Sequence, residues 1–350
     1  MSHGNAALAD GLLRAALAQD FGAELPPFPS IDLAVAAFKP SGSTRFANVL
    51  FSREHRHGVV AVIDDQAGAV GNLRFDRDQR NAAGESVAWL AESDWSTLQW
   101  TKLWGDGPQR FVAPYPASLL KLLVAVGVGI GIDRGLVAGW PDAVEPMITV
   151  SDNEATDAMV ALLHRHRLIE ALNARLQTLG LHTLQLNSTT AAGGWRNADG
   201  AGVGQIHMTA WDTVRLLWLL DAEAPPAPWL PPRTTLLQPA TRDHLRTLLQ
   251  RQQLDEILSS GAARHLPGWV LGAPDAPAFA HKTGLTDHYA SDAGIVSVPG
   301  IDVHYIVAVL TSLGRRHAPD PRVATTWRVP KLGAAIHALM SGSTATLPSR

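Results

Sequence analysis

The sequence predicts an α/β (α+β) fold in which a block of helices is inserted into a sheet-bearing unit. Three observations carry that expectation. β-Branched runs closed by turn residues lie at 58–75. Helical periodicity then dominates from 118 to 259, and strand signals return at 278–283, 293–298 and 303–311 before a last helical pattern over 322–340. The order helix, strands, helices, strands, helix lets both ends of the chain complete one sheet around the helical block. The cleft between block and sheet is the natural place for a site.

Each element has a local reason. A helical pattern over 6–19 stops near Gly22 and the breaker Pro26-Pro27-Phe28-Pro29. The run Gly58-Val59-Val60-Ala61-Val62-Ile63-Asp64-Asp65 is closed by a turn, and with 69–75 it reads as a hairpin. Residues 82–110 are rich in Trp (Trp89, Trp95, Trp100, Trp104) without a period, and no element is assigned there. Helices are expected at 118–133, 154–164, 168–179, 209–221 and 241–259, with a Pro-rich link over 224–232. The domain division that follows makes 1–57 an N-terminal extension of unassigned role. Residues 58–112 and 265–350 form an α/β subdomain, and 113–264 a helical one.

Composition excludes several classes. The chain has 350 residues, a formal net charge of −3 and no cysteine. Scattered basic residues give no steering toward nucleic acid or anionic lipid. Without cysteine there are no disulfides, thiolate metal sites or thiol nucleophile. The most apolar stretch, 119–132, is interrupted by Lys121, rich in Gly and too short to span a bilayer, so no membrane association is expected. The start of the chain lacks the cationic and apolar regions of a secretory signal, which points to a cytoplasmic protein; a removed leader would make it periplasmic or secreted. His55-x-His57 and His164-x-His166 lack carboxylate-rich partners, so neither a metal nor a cofactor is expected. Oligomeric state leaves no signal.

Three short motifs carry the chemistry. Ser118-Leu119-Leu120-Lys121 is a Ser-x-x-Lys at the start of an apolar helix, with both side chains on one face about a turn apart. Burial and the helix N-terminus both push such a Lys toward its neutral form, in which it accepts the Ser proton. A capping Ser with a snorkelling Lys has the same spacing, but Lys121 stands among four leucines, a poor place for an unpartnered charge. Ser151-Asp152-Asn153 opens the next helix and on its own is a capping signature. Its functional reading is a hydroxyl that relays a proton and an amide that holds substrate and Lys121. Lys282-Thr283-Gly284-Leu285 ends a strand, offering a cation and a hydroxyl to a substrate carboxylate, with Gly284 admitting the substrate backbone. By itself it is a strand entering a turn.

In this order and context the three motifs resemble those of class A β-lactamases and penicillin-binding proteins. The resemblance runs from about residue 58 to the C-terminus: 59–65 is similar to the family's first strand, and 281–284 with 293–296 to neighbouring antiparallel strands. It implies a β-lactamase-like fold, an antiparallel sheet flanked by helices with an inserted helical subdomain. It also implies catalytic roles for Ser118 (nucleophile), Lys121 (general base) and Ser151 (proton relay). Asn153, Lys282 and Thr283 would contact substrate, beside Gly284. The backbone N–H groups of Ser118 and Leu285 would form the oxyanion hole.

Departures from the family narrow the expected activity. Class A enzymes deacylate with a Glu placed four residues before an Asn; Leu184-Gln185-Leu186-Asn187 resembles the end of that motif, but Thr183 stands where the Glu is expected. Asp199 and His207 are the titratable groups nearby that could activate water, although Asp199-Gly200 also reads as a turn and His207 as a residue before a cap. Asp292 and Ala293 stand where an Arg for the substrate carboxylate is often found. The leading expectation is a serine hydrolase of an amide, lactam or ester, through an acyl-Ser118 intermediate, with weak β-lactamase activity at best. The alternatives are a D,D-carboxypeptidase or transpeptidase, and a non-catalytic binding protein on the same fold.

Overall fold

Residues 31–38 are buried on both faces, and this strand forms the middle of the sheet. The computed structural model describes residues 2–23, 25, 28–39, 41–78, 93–195, 205–259, 278–298, 300, 302–319 and 323–342. Helix α1 (His3–Leu17) leads into β1 (Ile31–Phe38) and β2 (Thr44–Phe51). Then come β3 (Val59–Val60), β4 (Leu73–Arg77), β5 (Thr101–Trp104) and β6 (Gln109–Ala113). The helical block holds α2 (Lys121–Asp133), α3 (Val144–Thr149), α4 (Asn153–Arg165) and α5 (Leu168–Thr178). Two short strands, β7 (Gln185–Leu186) and β8 (Ile206–His207), precede α6 (Ala210–Leu220) and α7 (Pro239–Gln250). The chain closes with β9 (Ala278–Leu285), β10 (Ala290–Val298), β11 (Val303–Thr311) and α8 (Arg328–Ser341).

The main sheet has six strands in the order β3-β2-β1-β11-β10-β9, and every pairing in it is antiparallel. Alternation along β1 divides the core in two. Ile31, Leu33, Val35 and Ala37 face α1 and α8, where they meet Leu8, Leu12, Leu332 and Ile336. Ala34, Ala36 and Phe38 face the other way, into the core shared with α2 and α6. Asp32, on that second face, accepts from Asn48 Nδ2 at 2.7 Å and from the Ala210 N–H at 2.8 Å, tying the start of α6 to the sheet. Helix α2 is buried around its whole circumference at the centre of the helical block, as its apolar composition requires.

The structure corrects the sequence-based reading at three places. Residues 1–57 are no appendage, because they supply α1, β1 and β2, while 59–65 contributes only the two-residue edge strand β3. The expected hairpin of 58–65 with 69–75 survives only as a turn closed by an Ile63–Val70 bridge, with Asp64 Oδ1 accepting from Gln66 and Ala67. Beyond it the two halves diverge: β3 joins the main sheet and β4 a second one, β5-β4-β6. The helix expected over 241–259 ends at Gln250, where Gln252 Oε1 accepts from the Gln253 and Leu254 N–H groups and Gln253 N donates to Thr149 O. Among the described residues, no helix is long and apolar enough to cross a membrane.

Candidate active site

Ser118 lies in a single 3-10 turn, Ala117–Leu120, that runs directly into α2. Ala117 enters the turn at φ +51°, a left-handed conformation that costs a non-glycine residue strain and is held by its surroundings. Leu119, Leu120, Leu122 and Leu123 are all fully buried, whereas Ser118 keeps part of its surface open. A hydroxyl is therefore presented from an otherwise sealed segment.

Lys121, one turn later, is fully buried. Its amine donates to Ser151 O at 2.5 Å, to Ser151 Oγ at 3.0 Å and to Asn153 Oδ1 at 2.8 Å. The Ser-Asp-Asn segment thus both caps a helix and reaches Lys121. Asp152 caps α4 by accepting from the Ala155 N–H at 2.7 Å, while Ser151, at φ +59°, offers its carbonyl and hydroxyl to Lys121.

Lys282 arrives from β9 and is also fully buried. Its amine donates to Ser151 Oγ at 3.1 Å and to Thr283 O at 2.7 Å. Burial is the main force on its charge, and the neighbouring Lys121 amine adds to it, so its pKa falls to about 7 despite the opposing fields of Asp292 and Glu256. Gly284 has a reason other than substrate access. A Cβ there would lie 2.4 Å from Pro116 O and 2.6 Å from Leu119 N, so the glycine lets β9 pack against the turn that carries Ser118. Asp292, in the place of an expected Arg, is buried; its carboxylate contacts His281 Nδ1 at 2.8 Å and accepts from the Leu258 N–H at 3.1 Å.

The position at which the Glu was expected is held by other contacts. Thr183 is buried elsewhere, donating from its N–H (3.0 Å) and hydroxyl (2.7 Å) to Asp212 Oδ2 and sharing a hydrogen bond with Thr209 Oγ1. Within 184–187, Gln185 and Leu186 form β7, and Asn187 Oδ1 accepts from Asn173 Nδ2 at 3.1 Å. His207 is buried on β8, paired across to Gln185, and Asp199 lies outside the described residues. Instead the indole of Trp195 lies over Lys121, its ring centre 5.5 Å from Nζ. Sequence reasoning passed over this residue because it stands in a Gly-rich segment without periodicity. His55 and His164 make single contacts, to Arg110 O and Thr189 Oγ1, and no group of metal-binding side chains occurs among the described residues.

Comparison with known proteins places this geometry. Residues 115–337 match the profile of the Beta-lactamase enzyme family. A β-lactamase from Sphaerobacter thermophilus superposes with a TM-score of 0.52 at 15% identity, covering 97% of this chain and 99% of that one. A β-lactamase from Xanthomonas campestris gives 0.50 at 15% identity, with coverage of 95% and 97%. A point variant of PBP-A, solved as its acyl-enzyme with penicillin G, also gives 0.50 at 15% identity, with coverage of 98% and 97%. At these identities the structures speak for the fold alone. No curated protein sequence matches the chain.

Proposed function

Because the chain belongs to the Beta-lactamase enzyme family, we propose that it is an acyl-enzyme hydrolase in which Ser118 attacks the carbonyl of an amide, lactam or ester. The observation that carries this reading is the position of the Ser151 hydroxyl, within hydrogen-bond reach of both buried amines, Lys121 and Lys282. Two buried amines sharing one hydroxyl suit proton movement, and perturbed groups of this kind cluster at functional sites.

The steps follow from the contacts. Neutral Lys121 takes the Ser118 proton as Oγ bonds to the substrate carbonyl carbon. Backbone N–H groups of Ser118 and Leu285 stabilise the oxyanion. When the bond to the leaving nitrogen or oxygen breaks, the Ser151 hydroxyl gives its proton to that atom and is reprotonated from Lys121. Asn153 holds Lys121 in place, while Lys282 and Thr283 meet a substrate carboxylate. Water then releases the acyl group, slowly for penicillins, because Thr183 stands where the family's activating Glu is expected.

Intact-mass measurement after incubation with penicillin G and with an activated ester tests the reading. A mass increase with one or both, or turnover of the ester, is the expected result. Neither adduct nor turnover would leave a non-catalytic receptor as the better description.

A further inference from the structure

The loop after β7 is built to deliver one side chain to Lys121. Thr189 Oγ1 meets His164 Nε2 of α4 at 2.9 Å. A tight turn follows: Thr190 N donates to Gly194 O at 2.7 Å, Gly193 N to Thr190 O at 2.9 Å, and Gly194 N to Thr190 Oγ1 at 3.0 Å. Gly193 adopts φ +99°, and a Cβ on it would lie 2.4 Å from Asp157 O, so only glycine lets the loop press this closely on α4. Asp157 is one helical turn beyond Asn153, whose side chain holds Lys121. The loop thus packs on the helix that positions the base, and the next residue but one is Trp195, only 6% exposed.

Among the described residues, the contacts of Lys121 Nζ include three oxygens, from Ser151 and Asn153, and the aromatic face of Trp195. An indole face attracts the amine but neither gives nor takes a proton there. Release of the acyl group breaks the bond between Ser118 Oγ and the acyl carbon and joins that carbon to a water oxygen. The water's proton must pass to a base, for which neutral Lys121 is available, and Ser118 Oγ regains one from the resulting ammonium.

We propose that Trp195 is a positioning residue that keeps water from Lys121, so that acyl-Ser118 forms readily and decays slowly. The inference rests on the hydrolase reading. Its consequence is a site suited to holding an acyl group, rather than to discarding it to the first water.

The test measures acylation by penicillin G and decay of the adduct, by intact mass over time, in the wild type, Trp195→Ala, Trp195→Gln and Trp195→Phe. The ratio of decay rate to acylation rate is expected to rise about tenfold or more in the Ala and Gln variants. A smaller rise is expected in the Phe variant, which keeps a ring over the amine. Thermal unfolding followed alongside separates a structural role, which lowers Tm without moving that ratio. An unchanged ratio in both Ala and Gln variants would overturn the proposal; Gln carries the test if Ala does not fold. Absence of any penicillin adduct in the wild type would overturn this inference; only if the activated ester were also neither bound covalently nor turned over would the hydrolase reading fall with it.

Discussion

Lys121 and Lys282 reach the same atom, donating to Ser151 Oγ at 3.0 and 3.1 Å. Two ammonium groups so close in a buried site repel each other, and burial disfavours both. The pair is most easily accommodated with one amine neutral, the state a proton acceptor needs. A hydroxyl between them passes a proton without any heavy atom moving far.

Arginine at 121 tests the base. It keeps a positive charge but does not give up its proton at any working pH. Acylation by an activated ester is expected to fall by about 10²–10⁴-fold in Lys121→Arg, the usual scale of a lost general base. Near-wild-type acylation, measured by stopped flow, would remove Lys121 from that role.

Lys282 predicts a pH dependence of defined sign. With its pKa lowered to about 7, chiefly by burial, it is cationic below that value and neutral above it. A substrate bearing a carboxylate loses its counter-charge as pH rises through 7, whereas a neutral ester does not. The ratio of acylation rates, anionic over neutral substrate, is expected to fall by about tenfold per pH unit once above 7. A ratio flat from pH 6 to 9 would show that Lys282 does not bind the carboxylate by charge.

The motif residues were legible because their chemistry is written in short spacings. Lys121 among leucines announced a buried amine, and Ser151-Asp152-Asn153 served as both cap and site. Strand β1 was not legible, since it is buried on both faces and so shows no alternation, and its three alanines are weak strand formers. Trp195 was missed for a different reason: its position depends on a glycine fitted against Asp157, a tertiary contact with no sequence period. The partners of Thr183 were not legible either, because its hydrogen bonds to Asp212 and Thr209 are tertiary contacts without a sequence period.

The contacts of Thr183 bear on one substitution. From sequence, Thr183→Glu looks like a way to restore the deacylating carboxylate. In the structure the side chain at 183 meets Asp212, whose own partner is Arg215 at 3.1 Å. The new carboxylate would be buried against a like charge and lose the Thr hydroxyl bonds, at a cost of roughly 2–4 kcal/mol. The variant is expected to be less stable in denaturant titrations and no faster in adduct decay. Faster decay would mean that residue 183 reaches the acyl group after all.

Asp32 links the sheet to α6 and leaves a signature in stability. Burial raises its pKa from 3.8 to about 6, against the opposing hydrogen bonds from Ala210 and Asn48. The folded state therefore holds this proton more firmly than the unfolded chain does. Its contribution is greatest below 3.8 and is lost as pH rises through about 6, a change of about 3 kcal/mol. Urea unfolding from pH 4 to 7.5 should show this component in the wild type and not in Asp32→Asn. An identical pH dependence in the two proteins would show that Asp32 does not titrate in that window.

Everything above turns on a covalent bond to one hydroxyl, and peptide mapping of the protein after reaction with penicillin G or a fluorophosphonate tests that bond directly. The modification is expected on Ser118 alone, and Ser118→Ala should fold normally, take up no label and lose at least about a thousandfold in activity. With penicillin G the wild type should give a burst followed by slow turnover, with the adduct visible throughout. Label on any other residue, or rapid penicillin hydrolysis with no detectable adduct, would contradict the assignment of Ser118 and the slow release inferred from its surroundings.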